Sequence, residues 1–136
     1  MSKREKIFSL PVRVYFQDTD AGGVVYHASY LNFMERARTE WLRTHGYSNA
    51  GLMKEFGVVF VVRTIKLDYL KPALLDDLLD VTAQIKDLGR SRLNLVQSVR
   101  RGDEVLTEAE VHLVCVSVEN FKPASIPEVL SEQLKK

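Results

Sequence analysis

From Arg63 onward the chain alternates apolar and polar side chains in four separate runs, joined by stretches too short to fold into helices. Ile65, Leu67 and Tyr69 alternate with Thr64, Lys66 and Asp68, and Val81, Ala83 and Ile85 with Thr82, Gln84 and Lys86. Leu93, Leu95 and Val99 share one side of the third run, and Thr107, Ala109, Val111, Leu113 and Cys115 share one side of the fourth. A period of two is the pattern of a half-buried strand. The joints are LKPALLDD, LGRS and RRGDE, and the last two are short enough for hairpins. A parallel pair needs a crossover of roughly a dozen residues or more, so the sheet is expected to be antiparallel, a four-strand meander.

The first half supplies one more strand and the only long helix. Residues 10–16, LPVRVYF, put Val12, Val14 and Phe16 on one face. From Tyr30 to about His45, the residues Tyr30, Phe33, Met34, Ala37 and Trp41 form one apolar helical stripe, and Leu31 and Leu42 suggest cover on a second side. Gly46 suits the helix end. A short second helix is expected over Ser48 to Glu55, ended by Gly57. One strand, one long helix and four strands make an α+β plan in which the sheet must cover that helix. The C-terminal FKPASIPEVLSEQLKK reads as a short polar helix, with about 126–136 lying on the surface as a tail.

With 136 residues, 46% hydrophobic and 27% charged, the chain has the size and composition of a single domain spanning 1–136. A net charge of +1 from 19 basic and 18 acidic residues gives no footprint of a nucleic-acid binder. The longest purely apolar run, Val58 to Val62, is far short of the ~20 residues of a membrane helix. The opening MSKREKIFSLPVR has charges but no apolar core of an export signal, so the expected compartment is the cytoplasm. Cys115, the only cysteine, fits a buried strand thiol in a reducing compartment.

Chemistry concentrates in DTDAGGVVYHASY, where the first strand gives way to the helix. Asp18 and Thr19 suit local turns, and Gly22 and Gly23 suit positive φ. Asp20 stands before the two glycines and an apolar Val24–Val25 pair. Burial would raise its pKa and a helix N-terminus would lower it, and the sequence does not choose. A helix start also presents unpaired backbone N–H groups, and glycines let a ligand approach them closely. A carboxylate beside such donors is what ester or thioester hydrolysis requires: one group attacks or deprotonates water, the others hold the oxyanion. His27 has two readings, an extra donor or acid and an imidazole bonded to backbone. Glu35, off the stripe near Arg36 and Arg38, reads as solvated or ion-paired. His45 suits a helix C-terminus and His112 points out from a strand. No GxSxG supports a serine nucleophile, and the three histidines lack metal spacing.

The run VRVYFQDTDAGGVVYHASYLNFMERARTEWLR resembles the signature of the 4-hydroxybenzoyl-CoA thioesterase family of hotdog-fold proteins, and within it the Tol-Pal-associated, YbgC-like acyl-CoA thioesterase branch. The likeness continues through FVVRTIKLDYLKPALLDDLL and EAEVHLVCV to KPASIP. It implies a five-stranded antiparallel sheet wrapped around one long central helix, paired edge to edge into dimers with active sites at the interface, and commonly into dimers of dimers. It also implies acyl-CoA hydrolysis, with Asp20 as the catalytic carboxylate, the backbone N–H groups of Tyr26 and His27 as oxyanion donors, and His27 as a further participant. A tyrosine is frequent in the family where this chain has Phe16. Gly22 and Gly23 make room for the thioester. Arg90, Arg92 and Lys122 are the candidates for the CoA phosphates, a solvated basic turn being the competing reading for each. No metal or redox cofactor is implied. The leading expectation is a thioesterase of lipid metabolism acting on aliphatic acyl-CoA, with acyl-carrier-protein thioesters as another possible substrate. The alternatives are a hotdog hydratase or dehydratase on 3-hydroxyacyl thioesters, whose site arrangement DTDAGGVVYH does not match, and a non-catalytic acyl-carrier-protein-binding or scaffold module of phospholipid synthesis.

Overall fold

The computed structural model describes residues 7–136; the charged MSKREK opening, part of the reading that finds no export signal, lies outside them. The chain runs β1 (Phe8–Arg13), α1 (His27–Thr44), α2 (Asn49–Phe56), β2 (Val58–Tyr69), β3 (Leu78–Leu88), β4 (Arg92–Arg101), β5 (Glu104–Ser117) and α3 (Glu128–Leu134). The five strands form one antiparallel sheet in the order β1-β3-β4-β5-β2. The sheet curls around α1, the hotdog arrangement that the resemblance implies. Among the described residues no helix is long and apolar enough to cross a membrane.

Periodicity placed the elements well and their neighbours less well. The α1 stripe is buried as expected, with Phe33, Met34 and Ala37 wholly inaccessible. Ser48 caps α2 by accepting the Gly51 N–H at 3.0 Å, and Gly57 ends it at φ 67°. The meander, however, has three strands, not four: β2 lies at the far edge beside β5. The reason is the segment 70–77, which crosses the end of the sheet instead of turning back. Leu70 N–H and Lys71 N–H both donate to Leu106 O, and Asp76 N–H reaches Val14 O.

Three further expectations are corrected. β1 ends at Arg13, because the Asp18 carboxylate takes the Tyr15 N–H at 2.8 Å and draws the chain into a 3-10 turn over Phe16–Asp18. Phe16 is consequently exposed instead of sharing the face of Val12 and Val14. Of the two residues that suggest cover on a second side of α1, Leu42 is buried as expected, but Leu31 is exposed, beside an open groove toward β2 and β5. The C-terminal tail is not a surface element: Ile126, Leu130 and Leu134 are buried in the main core. Cys115 is the buried strand thiol expected, and burial pushes its pKa up to about 11.

Candidate active site

Asp20 sits at the tip of a small hairpin between β1 and α1. Thr19 bridges Val25, Asp20 N–H donates to Val24 O, and Gly23 N–H returns to Asp20 O at 3.1 Å. This is a three-residue turn closed by a residue in the left-handed region, a role Gly23 fills at φ 80°. Gly22 is different. Its φ is not positive, and a Cβ there would stand 3.6 Å from Asp20 Oδ1, ordinary contact, so the fold of one chain does not require a glycine. The Asp20 side chain is exposed and its Oδ1 accepts the Gly22 N–H at 3.0 Å. Its other oxygen has no hydrogen-bond partner among the described residues.

The two acids of DTD do different work. Asp18 is buried and holds the loop together: besides Tyr15 N–H on its carboxylate, its carbonyl accepts Tyr26 N–H at 2.9 Å and the Ser29 hydroxyl at 3.1 Å. One expectation is thereby corrected. The Tyr26 N–H is already committed to Asp18 and is not a free donor. The N–H groups at the start of α1 without a partner among the described residues are those of His27 and Ala28, since Ser29 N–H bonds back to Tyr26 O.

His27 is exposed, and among the described residues its imidazole is bonded to no backbone group; it packs edge-to-face with Tyr69, with ring centroids 5.0 Å apart at 85°. The Tyr69 hydroxyl donates to the His27 carbonyl at 3.3 Å. In the sequence Tyr69, at the end of β2, shows only as an alternating apolar position. The other feature that sequence reasoning missed is the strap 70–77. Val25 N–H donates to Ala73 O and Leu75 N–H to Gly23 O, while Ala73 N–H donates to the buried Tyr30 hydroxyl at 3.0 Å. Asp77 fixes the strap, accepting Leu74 N–H at 2.9 Å and Arg101 at 2.7 Å. Arg101 also reaches Glu104, which Lys71 pairs from the other side. LKPALLDD looked like a turn because its partners lie far off in sequence.

Arg90, Arg92 and Lys122 are not brought to this loop within one chain. β3 starts beside the strap and carries the chain away over 11 residues, so the turn after it lies roughly 30 Å off at about 3.3 Å per residue. Arg92 there pairs with Asp87 at 3.0 Å, and the hydrogen bonds from Arg92 and Asn94 hold the Asp87 carboxyl below its ordinary pKa. Arg90 accepts Ile126 N–H on its carbonyl and leaves its side chain exposed, as does Lys122.

A groove of about 510 Å³ opens between α1 and the inner face of β2, β4 and β5, walled by Leu31, Trp41, Phe60, Val62, Leu95 and Leu113. Leu31 is one turn beyond His27. Arg38 lines the groove, and burial pulls its pKa below the usual arginine value. It donates to Gln97 Oε1 at 3.0 Å, and Gln97 Nε2 donates to Met34 O and Thr82 O, tying helix to sheet. Glu35 is exposed at the same groove, near enough for its charge to act on Arg38.

An exposed carboxylate, a helix start with N–H groups unpartnered among the described residues and a groove along the same helix are the kinds of group that acyl-group hydrolysis uses, on an α+β domain. A family model of the thioesterase-like superfamily matches residues 14–134. An acyl-CoA thioesterase YbgC of Haemophilus influenzae is 46% identical over 88% of this chain and 88% of its own length. An acyl-CoA thioester hydrolase YbgC of Escherichia coli is 46% identical over 95% of this chain and 96% of its own. Among solved structures, a probable thioesterase from Bartonella henselae superposes with a TM-score of 0.86 at 37% identity, covering 90% of this chain and 100% of that one. The chain belongs to the thioesterase-like superfamily, in its YbgC branch.

Proposed function

We propose that this protein hydrolyses acyl-CoA to a free acid and CoA, with Asp20 supplying the carboxylate and the helix N–H groups of His27 and Ala28 holding the oxyanion. Its family makes it a thioester hydrolase. The observation that carries the residue assignment is the pairing of an Asp20 oxygen left open with a helix start whose first two N–H groups are unspent. Negative charge developing on the thioester oxygen meets fixed donors that need no reorganisation, and each such donor is worth about 100-fold in rate. Asp20 either attacks the carbonyl, giving an anhydride that water then opens, or removes a proton from the attacking water. Both routes consume one water and release the same acid and thiol.

The leaving group limits what His27 must do. A thiol ionises near pH 8.5, so CoA departs as a thiolate with little need of a general acid. His27 therefore contributes less than Asp20, orienting substrate or donating to it. Gly22, where one chain requires no glycine, leaves space beside the carboxylate, and Gly23 holds the turn. The groove takes the acyl chain, and its apolar walls favour aliphatic substrates, carried by CoA or by acyl carrier protein. The reaction calls for no metal or redox cofactor. Work in the cytoplasm on lipid intermediates fits this chemistry.

The active unit is a dimer, or a dimer of dimers. β2 is a 12-residue edge strand with one row of backbone groups unpaired among the described residues, and Val62 on it is exposed. Pairing two copies antiparallel along β2 sets the sheets end for end. The end that carries Arg90, Arg92 and Lys122 in one copy then lies at the Asp20 end of the other, where the CoA phosphates need cations. Thiol release from a panel of acyl-CoA thioesters tests the function: turnover of aliphatic acyl-CoA is expected, and inertness toward the whole panel would sink it.

A further inference from the structure

We infer that Tyr69 is a positioning residue whose ring sets the orientation of the His27 imidazole, an inference that rests on the part given to His27 in hydrolysis. The imidazole is exposed and has no side-chain hydrogen bond among the described residues; what touches it is aromatic. Tyr26 and Tyr69 are both exposed, but Tyr26 stands 6.3 Å away and among the described residues no second ring packs behind it, so it offers little constraint. Tyr69 is closer, at 5.0 Å, and is held from behind. Its ring packs at 5.4 Å on Tyr30, which is buried, bonded to Ala73 and edge-to-face with Phe33 at 6.2 Å in the core. Its backbone is fixed in the ladder opposite Thr107, and its hydroxyl is tied to the His27 carbonyl.

Phe33, Tyr30, Tyr69 and His27 thus form a continuous aromatic row that carries rigidity from the core to an imidazole at the surface. An edge-to-face pair needs its two rings near perpendicular, so a fixed Tyr69 selects among the His27 rotamers. Without it, the imidazole spreads over several rotamers and only a fraction of molecules presents it to the substrate.

The test is Tyr69→Leu and Tyr69→Phe, each in wild-type and His27→Ala backgrounds, read by steady-state kinetics and by the NMR shifts of the His27 ring protons. Tyr69→Leu is expected to lower kcat by about three- to tenfold, the factor an aromatic pair is worth, with KM little changed. Tyr69→Phe, which keeps the ring, should restore most of that loss. In the His27→Ala background Tyr69→Leu should cost nothing further, the mark of two residues acting through one another. The His27 protons should lose their ring-current displacement in Tyr69→Leu and keep it in Tyr69→Phe. Undisplaced His27 protons in the wild type, an unchanged kcat in Tyr69→Leu, or the same loss repeated without His27 would each overturn the inference. A wild type inert toward every acyl-CoA would instead sink the hydrolase reading, while the NMR shifts still report whether Tyr69 holds the ring.

Discussion

Two neighbouring glycines divide the labour of the candidate site. Gly23 occupies the left-handed region at φ 80°, where a Cβ is strained, so Gly23→Ala is expected to cost about 1 kcal/mol of stability and to distort the turn under Asp20. Gly22 carries no such demand, and Gly22→Ala should fold with wild-type stability while raising KM if the thioester passes beside Asp20. Thermal midpoints with steady-state kinetics separate the two, and equal loss of stability in both would contradict the division. At this scale the sequence was partly legible. Asp20 stood out because acid, glycine pair and helix start are contiguous. The loss of the Tyr26 N–H did not, because it depends on the Asp18 carbonyl, a backbone atom that every residue has.

The strap 70–77 backs the candidate site and is held by charges on β4 and β5. Asp77→Ala removes the acceptor for Leu74 N–H and the partner of Arg101 together. It is expected to lower kcat by about tenfold, within the ~100-fold that a 1 Å misplacement can cost, and to speed amide exchange over residues 20–25. Asp77→Asn keeps an acceptor and should lie between it and wild type. Unchanged exchange over 20–25 would show that the strap does not restrain the hairpin. Elements themselves were readable where a period repeats, as in the α1 stripe and the alternation of β3 to β5. The position of β2 was not, because alternation marks a strand but names no neighbour, and the bonds of 70–77 run to Val14, Gly23 and Leu106. The α3 tail did carry a signal, Ile126, Leu130 and Leu134 at four-residue spacing, masked by the polar residues between them.

For the whole molecule, charge pairs on the sheet and near the strap set the response to acid. Lys71 and Arg101 hold Glu104 below its ordinary pKa, Lys86 does the same for Glu110, and Arg92 for Asp87. A depressed carboxylate stabilises the fold above its unfolded pKa, and that stability is lost as the pH falls through the folded value. His45 is also lowered, by burial against Trp41. The unfolded chain therefore binds its proton first, and stability declines slightly as the pH falls through about 6.5. The thermal midpoint is expected to be level above about pH 7, to slip slightly near 6.5 and to fall further below about 4. A midpoint that rises on acidification would contradict this assignment.

The central claim is that the Asp20 carboxylate drives hydrolysis, and Asp20→Asn tests it most directly, because the amide keeps the shape and an oxygen acceptor for Gly22 N–H while removing the charge. Measured as thiol release from the acyl-CoA that the wild type hydrolyses fastest, with the thermal midpoint taken alongside, kcat is expected to fall by at least about 100-fold with the fold intact. Wild-type turnover in Asp20→Asn would contradict the claim.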